Sequence, residues 1–202
     1  MKKKFEKELP EGYELVYHIS ATERRTAIKF NLAALVIMIG TFLLGLIPLL
    51  IKGGIEYALG QTETVITLLI FFAAMILYVI AHELVHGIAY KAMTGQRLTF
   101  GLTLSCAFCG VPSIYTYRRV ALIALLAPFT VFTVLFLGLS IGLLAVHPLY
   151  YLCALWLLAM HVGGCVGDLY MSWLCFTRFR ARDILIRDTG PEQFIYSRTP
   201  KD

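Results

Sequence analysis

Charged residues are scarce in this chain, and four long stretches almost lack them. Asp, Glu, Lys and Arg make up 15% of the 202 residues, 58% are hydrophobic, and the mean hydropathy is +0.74. Soluble domains carry about 25% charged residues, so this composition excludes an ordinary soluble surface and indicates a membrane protein. The four apolar stretches are Asn31–Ile51, Val65–Tyr90, Val120–Val146 and Leu149–Thr177.

Each apolar stretch is long enough to cross a bilayer, which needs ~20 residues in a helix. The first and third contain no charged residue, the second contains only Glu83, and the fourth contains only Asp168. The sequence has no internal repeat, and its length suits one domain spanning residues 1–202. It predicts an all-α integral membrane protein with four transmembrane helices.

The sequence also lacks the cysteine pattern of a disulfide-stabilised protein. It has five cysteines, an odd number, and three of them (Cys153, Cys165 and Cys175) fall in the fourth apolar stretch. A disulfide framework is therefore not expected. The single Cys106-x-x-Cys109 pair is weak evidence for a zinc or redox site without a second pair, so we interpret it as packing.

The net charge of +5 does not indicate nucleic-acid binding, because the basic residues flank the apolar stretches. Segments 1–30, 91–119 and 178–202 carry seven, four and six of the 18 lysines and arginines, and Lys52 is the remaining one. The positive-inside rule places these three segments in the cytoplasm. The N-terminal segment 1–30 and the tail 178–202 are then both cytoplasmic, and the lipid bilayer is the expected partner.

The loop between the second and third helices shows strand periodicity. Leu98–Cys106 alternates apolar with small or polar residues, which is typical of a β-strand. Gly110 and Pro112 indicate a turn, and Ser113–Tyr117 suits a returning strand. We predict a membrane-associated β-hairpin here.

Further short strands are predicted near the two ends of the chain. In the tail, Ile184–Arg187 and Gln193–Ser197 flank the turn-forming residues 188–191, and Tyr13–Ile19 is a candidate strand near the N-terminus.

The second apolar stretch carries a metal-binding pattern, His82-Glu83-Leu84-Val85-His86. Residues four apart share one face of a helix, so His82 and His86 can bind one Zn²⁺. Glu83 is then placed as the general base. A buried carboxylate at mid-membrane costs roughly 2.5–3.5 kcal/mol, so this pattern predicts a functional site, an intramembrane zinc hydrolase.

A catalytic zinc site needs a third protein ligand, and two candidates are available. His82 lies eight residues before Tyr90, and Asp168 lies nine before Thr177, so both are ~12–14 Å from the cytoplasmic ends of their stretches. This similar depth in the membrane favours Asp168 as the third ligand. His161 is the rival ligand, although it lies ~10 Å further from the cytoplasm unless the helix breaks at Gly163-Gly164. It is otherwise a substrate-binding, auxiliary or core histidine, whereas His18 and His147 are predicted on the surface.

The combination of these motifs resembles site-2-type intramembrane zinc metalloproteases. The chain is more similar to a small bacterial family of "putative zincin peptidases", with His82-Glu83-Leu84-Val85-His86-Gly87, Ala127-Pro128-Phe129 and Gly167-Asp168-Leu169-Tyr170 in matching order. Site-2-type enzymes usually have an Asn/Pro-rich stretch ending in Asp-Gly on the ligand helix. Here Asp168 is followed by Leu169, so the group that would hold the scissile peptide does not follow from the resemblance.

The resemblance implies a bacterial cell-membrane protease with Zn²⁺ as cofactor, which cleaves a membrane protein or membrane-tethered peptide near the cytoplasmic leaflet. By this likeness His82, His86 and Asp168 are metal ligands and Glu83 is the catalytic base. The alternative is a non-enzymatic membrane protein that binds or transports zinc.

Overall fold

The computed structural model describes residues 3–52, 60–103, 106–180 and 183–198. Most of the expected external loop 52–64 and the ends of the chain lie outside these ranges. The helices are α1 (Arg24–Ile51), α2 (Gln61–Thr94), α3 (Arg118–Leu144), α4 (Pro148–Gly164) and α5 (Val166–Phe176). The strands are β1 (Phe5–Glu6), β2 (Tyr13–Ser20), β3 (Thr99–Leu102), β4 (Ala107–Gly110), β5 (Tyr115–Tyr117), β6 (Ile184–Asp188) and β7 (Glu192–Arg198).

Three helices of the described residues are long and apolar enough to cross a membrane. These helices, α1, α2 and α3, have 28, 34 and 27 residues. Each exceeds the ~20 residues that a span requires, which confirms the first three predicted helices as candidate spans. The helices α4 and α5 add a fourth candidate if the bent pair is one span.

The fourth apolar stretch is broken, whereas the sequence predicted one helix over Leu149–Thr177. α4 and α5 meet at Cys165 with a bend of 45°. The break follows Gly163 and Gly164, and glycine costs ~1 kcal/mol in a helix relative to alanine. The Cys165 N–H donates to the His161 carbonyl at 3.1 Å and closes the last turn of α4.

The chain forms two compact units, and the first holds the strands. It contains the described parts of residues 1–31, 83–128 and 167–202. Within it, the antiparallel sheet has the order β1-β5-β6-β7-β2. The expectation of an all-α protein is therefore only partly correct. The strands predicted at Tyr13–Ile19, Ile184–Arg187 and Gln193–Ser197 are confirmed as β2, β6 and β7.

The core of this unit joins the sheet to α3 and α5. Ile186 and Ile195 from the sheet pack with Leu125 of α3 and Met171 of α5. Each is at most 2% exposed, and burial of such a side chain stabilises the fold by ~1.5–3 kcal/mol. The core therefore holds α3 and α5 in place against the sheet.

The hairpin after α2 is present, but its second strand is not the predicted one. Thr99–Leu102 pairs with Ala107–Gly110, and the Thr103 N–H donates to the Cys106 carbonyl at 2.8 Å to close the connection. The predicted returning strand was wrong, because Tyr115–Tyr117 pairs with β1 and β6 in the other sheet. Leu104 and Ser105, which fall in the predicted first strand, lie outside the described residues.

The second unit is helical in its described residues and covers parts of 32–82 and 129–166. Leu49, Tyr151 and Leu155 form a buried cluster in it, and the Tyr151 hydroxyl donates to the Gly45 carbonyl. Large apolar side chains are nevertheless exposed along α1, α2 and α3. Such extended apolar surfaces are unusual in soluble proteins and are compatible with contact with lipid. One domain over residues 1–202 stays a prediction.

Candidate metal centre

The two histidines of the predicted metal pattern lie on one face of α2. His82 and His86 are separated by one helical turn. Both side chains are buried, and Glu83 is half-buried. The helix thus places the two imidazoles of its sequence pattern on one face, as its 3.6-residue period requires, and Glu83 lies one residue further round.

In the first unit His86 has two polar neighbours that define its orientation. Its Nδ1 lies 2.9 Å from the Ala124 carbonyl oxygen, and a carbonyl can only accept, so Nδ1 carries the proton. Its Nε2 lies 3.3 Å from Asp168 Oδ2. Because Asp168 is in the first turn of α5, the helix dipole favours its negative charge. The pair brings a ring nitrogen and a carboxylate oxygen close together, and once Nε2 gives up its proton the two atoms suit shared binding of a cation.

The Ala124 carbonyl accepts from His86 because of a proline in α3. In an α-helix this carbonyl would bond the N–H four residues later, and that residue is Pro128. Proline has no N–H, and its ring displaces the carbonyl four residues before it. The Ala127-Pro128-Phe129 motif thus has a specific consequence: it releases a backbone acceptor to orient a histidine.

A second group of polar side chains surrounds His82 in the other unit. The His161 ring centroid lies 6.2 Å from that of His82, and the Tyr78 hydroxyl lies between them, 3.1 Å from His82 Nδ1 and 2.9 Å from His161 Nδ1. The sequence argument placed His161 too far away because it assumed a continuous helix. His82, His161 and Cys165 also offer ligand atoms within 4.8 Å of one another.

The donor atoms on α2 and α5 have the chemistry of a zinc site. Two imidazole nitrogens with one carboxylate oxygen is a common ligand set of catalytic zinc. His86 has the outer hydrogen bond that zinc-binding histidines almost always make, in its contact with Ala124. The residues present therefore fit a Zn²⁺ ion.

The sequence comparison agrees with this chemistry. The family described as "Putative zincin peptidase" matches residues 75–181, more than half of the chain. The chain belongs to this family. No curated protein and no solved structure matches it. Membership in the zincin peptidase family supports a zinc metallopeptidase and implies zinc as its metal.

The part that matches the zincin peptidase family contains all the candidate metal-binding residues. It begins in α2 before Tyr78 and ends after α5, so it includes His82, His86, His161 and Asp168. It leaves out α1 and the strands β6 and β7. These two strands supply Ile184, Ile186 and Ile195 to the core around α5. The family match therefore includes the candidate metal-binding residues, whereas part of the sheet is formed by residues outside the match.

The remaining histidines, His18 and His147, were predicted on the surface, and neither is in a candidate metal group of the described residues. His147 is half-buried. His18 is exposed on β2, where it stacks on Phe194. His147 caps the N-terminus of α4, since its Nδ1 accepts from the Leu149 N–H at 3.1 Å.

The Cys106-x-x-Cys109 pair is not in either candidate metal group of the described residues. Burial, with smaller contributions from the carboxylates of Asp188 and Glu83, raises the pKa of the Cys109 thiol to about 12. Cys109 is then a neutral thiol, whereas thiolate is the form that binds metals and reacts. This supports the interpretation of Cys109 as a packing residue.

Sequence reasoning missed a buried carboxylate beside the end of α2. Asp188 of β6 accepts from the Tyr90 hydroxyl at 2.7 Å and from the Gly190 N–H at 2.9 Å. Burial raises its pKa to about 6 despite these hydrogen bonds. It anchors the sheet to α2 four residues after His86. Only its position in a predicted turn was visible in the sequence.

Replacement of Pro128 should weaken zinc binding. Pro128→Ala restores an N–H that competes for the Ala124 carbonyl, so His86 loses the partner that fixes its tautomer. We expect about 10-fold weaker zinc affinity, the lower end of the range for lost outer hydrogen bonds, measured by competition with a chromophoric chelator. Pro48→Ala, which changes the proline inside α1, is the control. Unchanged affinity in Pro128→Ala would contradict the role of the proline.

Proposed function

We propose that this zincin peptidase is an intramembrane zinc metalloprotease of the site-2 type. The observation that carries the proposal is the 3.3 Å approach of His86 Nε2 to Asp168 Oδ2. It brings the Asp168 carboxylate, from the fourth apolar stretch, next to a histidine of the metal-binding pattern in the second stretch. The two helices concerned belong to candidate membrane spans, and polar groups inside such spans usually carry function.

In this proposal His82, His86 and Asp168 hold the zinc ion. His82 precedes His86 by one turn of the same helix, and Asp168 approaches the same Nε2 that a metal would use. A bound zinc ion supplies Lewis acidity, which polarises a carbonyl and makes a water molecule a stronger acid. Three protein ligands leave a position open for substrate, as in other catalytic zinc sites.

Glu83 acts as the base of the hydrolysis. Its carboxylate takes a proton from the attacking water as the water oxygen bonds the carbonyl carbon of the substrate. It then gives that proton to the amide nitrogen as the C–N bond breaks, so a carboxylic acid and an amine are released. Glu83 lies one residue after His82 and is half-buried, which suits a group that must meet both water and substrate.

The hairpin after α2 is the proposed place where the substrate is held extended. In the described residues β3 pairs only with β4, so its other edge can accept a further strand. A Cβ added at Gly87 would lie 2.8 Å from Phe100 Cζ, so β3 packs closely beside the residue that follows His86. A membrane protein or membrane-tethered peptide that unwinds and adds to this edge would present its backbone near the site.

The proposed location is the bacterial cell membrane, with both termini in the cytoplasm. Reporter fusions after residues 30, 105 and 202 should read cytoplasmic, and a fusion near residue 57 should read external. The charge distribution along the chain is the reason. An external reading at residue 105 would mean that α2 has the opposite orientation in the membrane. The substrate would then not be cut near the cytoplasmic leaflet, which would contradict the proposed location.

A comparison of membrane proteomes tests the proposed function. Cells that produce the wild-type chain should contain truncated membrane proteins with new termini near the cytoplasmic leaflet. Cells that produce His86→Ala should accumulate the intact forms.

A zinc-binding or zinc-transporting protein predicts another result. In that case the two proteomes would match, and the variant would change only zinc content or zinc flux. The buried His82, His161 and Cys165 group gives this alternative a structural basis.

A further inference from the structure

A continuous series of polar atoms runs through the interior of the second unit. His161 Nε2 lies 3.2 Å from the Phe129 carbonyl oxygen and 3.1 Å from Thr133 Oγ1. The Tyr78 hydroxyl follows at 2.9 Å from His161 Nδ1, and His82 Nδ1 lies 3.1 Å beyond it. These contacts link a backbone carbonyl of α3 to a proposed zinc ligand on α2 through two side chains.

The carbonyl at one end gives this series a direction. The Phe129 oxygen can only accept, so a hydrogen bond to it places a proton on His161 Nε2. In the neutral ring Nδ1 is then an acceptor, and the Tyr78 hydroxyl donates to it. The oxygen of Tyr78 in turn accepts from His82 Nδ1–H. His82 therefore carries its proton on Nδ1 and its lone pair on Nε2.

The surroundings hold the series in place. His161 is fully buried and Tyr78 is 8% exposed. The Tyr78 ring meets the rings of Phe132 and Phe136 edge-on, at centroid distances of 5.2 and 5.3 Å. Among apolar neighbours a polar atom without a hydrogen-bond partner costs free energy. Each side chain of the series is therefore stabilised with its hydrogen bonds intact, and the donor and acceptor of each bond stay the same.

We propose that Tyr78 and His161 are positioning residues that hold His82 in the tautomer able to bind zinc through Nε2. The inference rests on the zinc site of the proposed function. It gives His82 the same orientation that Ala124 gives His86, whose Nδ1 is also protonated. It also gives His161 a role outside the metal's ligand set, in which Nδ1 accepts from Tyr78 and Nε2 donates to the Phe129 carbonyl.

Zinc affinity of the purified full chain tests this role without any measurement of peptide cleavage. Tyr78→Phe keeps the ring packing and removes only the hydroxyl. We expect its zinc dissociation constant to rise about 10- to 100-fold, the effect of losing an outer partner of a ligand. Tyr151→Phe is the matched control, since it removes a buried hydroxyl from the same unit, one that donates to the Gly45 carbonyl. Its affinity should equal that of the wild type.

Two variants of His161 separate positioning from packing. In His161→Asn the side-chain oxygen can replace Nδ1 as the acceptor of the Tyr78 hydroxyl, whereas His161→Leu offers no acceptor. We expect His161→Asn to retain more of the zinc affinity than His161→Leu, although leucine fills more of the apolar space. Equal losses in the two variants would indicate packing alone and overturn the proposal.

The tautomer can be read directly in the wild type, which avoids any dependence on a variant that fails to fold. In zinc-loaded protein labelled with ¹⁵N-histidine, His82 should show a protonated Nδ1 and a metal-bound Nε2. A metal-bound Nδ1, or unchanged zinc affinity in Tyr78→Phe beside a loss in Asp168→Ala, would overturn this inference and leave the zinc peptidase proposal intact. A wild-type chain that binds no zinc would overturn both.

Discussion

Glu83→Gln should bind zinc as tightly as the wild-type chain and hydrolyse almost no substrate. Glutamine keeps the shape of the side chain and can hydrogen-bond a water molecule, but it cannot take the proton of that water. General-base catalysis typically contributes 10²–10⁴-fold, so we expect a loss of about that size. The measurement is the initial rate of cleavage of a membrane-tethered peptide, with zinc content determined on the same sample.

Glu63→Gln is the matched control for this experiment. Glu63 lies in the first turn of the same helix, where its Oε2 accepts from the Gly60 N–H at 3.3 Å. Its replacement removes an equal charge from α2 at a distance from the site, and the cleavage rate should not change. Cleavage by Glu83→Gln at the wild-type rate would contradict the role of Glu83 as the base. Loss of zinc in that variant would instead make Glu83 a ligand.

Asp168→Ala should lose most of the bound zinc. The substitution removes the carboxylate that approaches His86 Nε2 at 3.3 Å and leaves two histidine ligands on one helix. Loss of an outer partner already weakens metal binding by 10–100-fold, so loss of a ligand should weaken it by more than about 100-fold. The measurement is zinc per chain after purification, followed by titration with zinc.

The comparison with His161→Ala decides between the two candidate third ligands. His161→Ala should still bind one zinc per chain when zinc is in excess, because His161 acts on His82 through Tyr78. Asp168→Ala should remain largely empty at the same zinc concentration. If His161→Ala is empty and Asp168→Ala is filled, the zinc lies instead among His82, His161 and Cys165.

The apolar stretches and the metal pattern were accessible from the sequence because both depend on local order. A run such as Asn31–Ile51 favours a helix wherever it is placed, and α1 contains it. His82 and His86 share a helix face by spacing alone. The strands at Tyr13–Ile19 and Ile184–Arg187 were also predicted, since residues that alternate in character leave a local signal.

The arrangement of the strands depended on contacts between distant parts of the chain. β2 pairs with β7 although residues 13 and 198 are 185 positions apart, and no local pattern encodes that pairing. The returning strand of the hairpin was misplaced for the same reason. Tyr115–Tyr117 suits a strand in either sheet, and its partners in β1 and β6 decide which one it joins.

The residues of the proposed site could be picked out from the sequence, whereas the groups that hydrogen-bond to them were harder to find. A break at Gly163-Gly164 was considered only as an alternative to a continuous helix, so His161 was placed too far from His82. Tyr78 carries a signal that sequence reasoning could have used, because it lies four residues before His82 and thus on the same face of α2. The Ala124 carbonyl has no side-chain signal, although Pro128 four residues later predicts that a backbone acceptor is released there.

The most direct test of the central claim uses the purified wild-type chain in liposomes, stripped of metal by a chelator and then given back zinc. We predict that one zinc per chain restores cleavage of a membrane-tethered peptide, with a new amino terminus and carboxyl terminus identified by mass spectrometry. Zinc that binds at this stoichiometry without any cleavage across a library of such peptides would contradict the peptidase and leave only a membrane metal site.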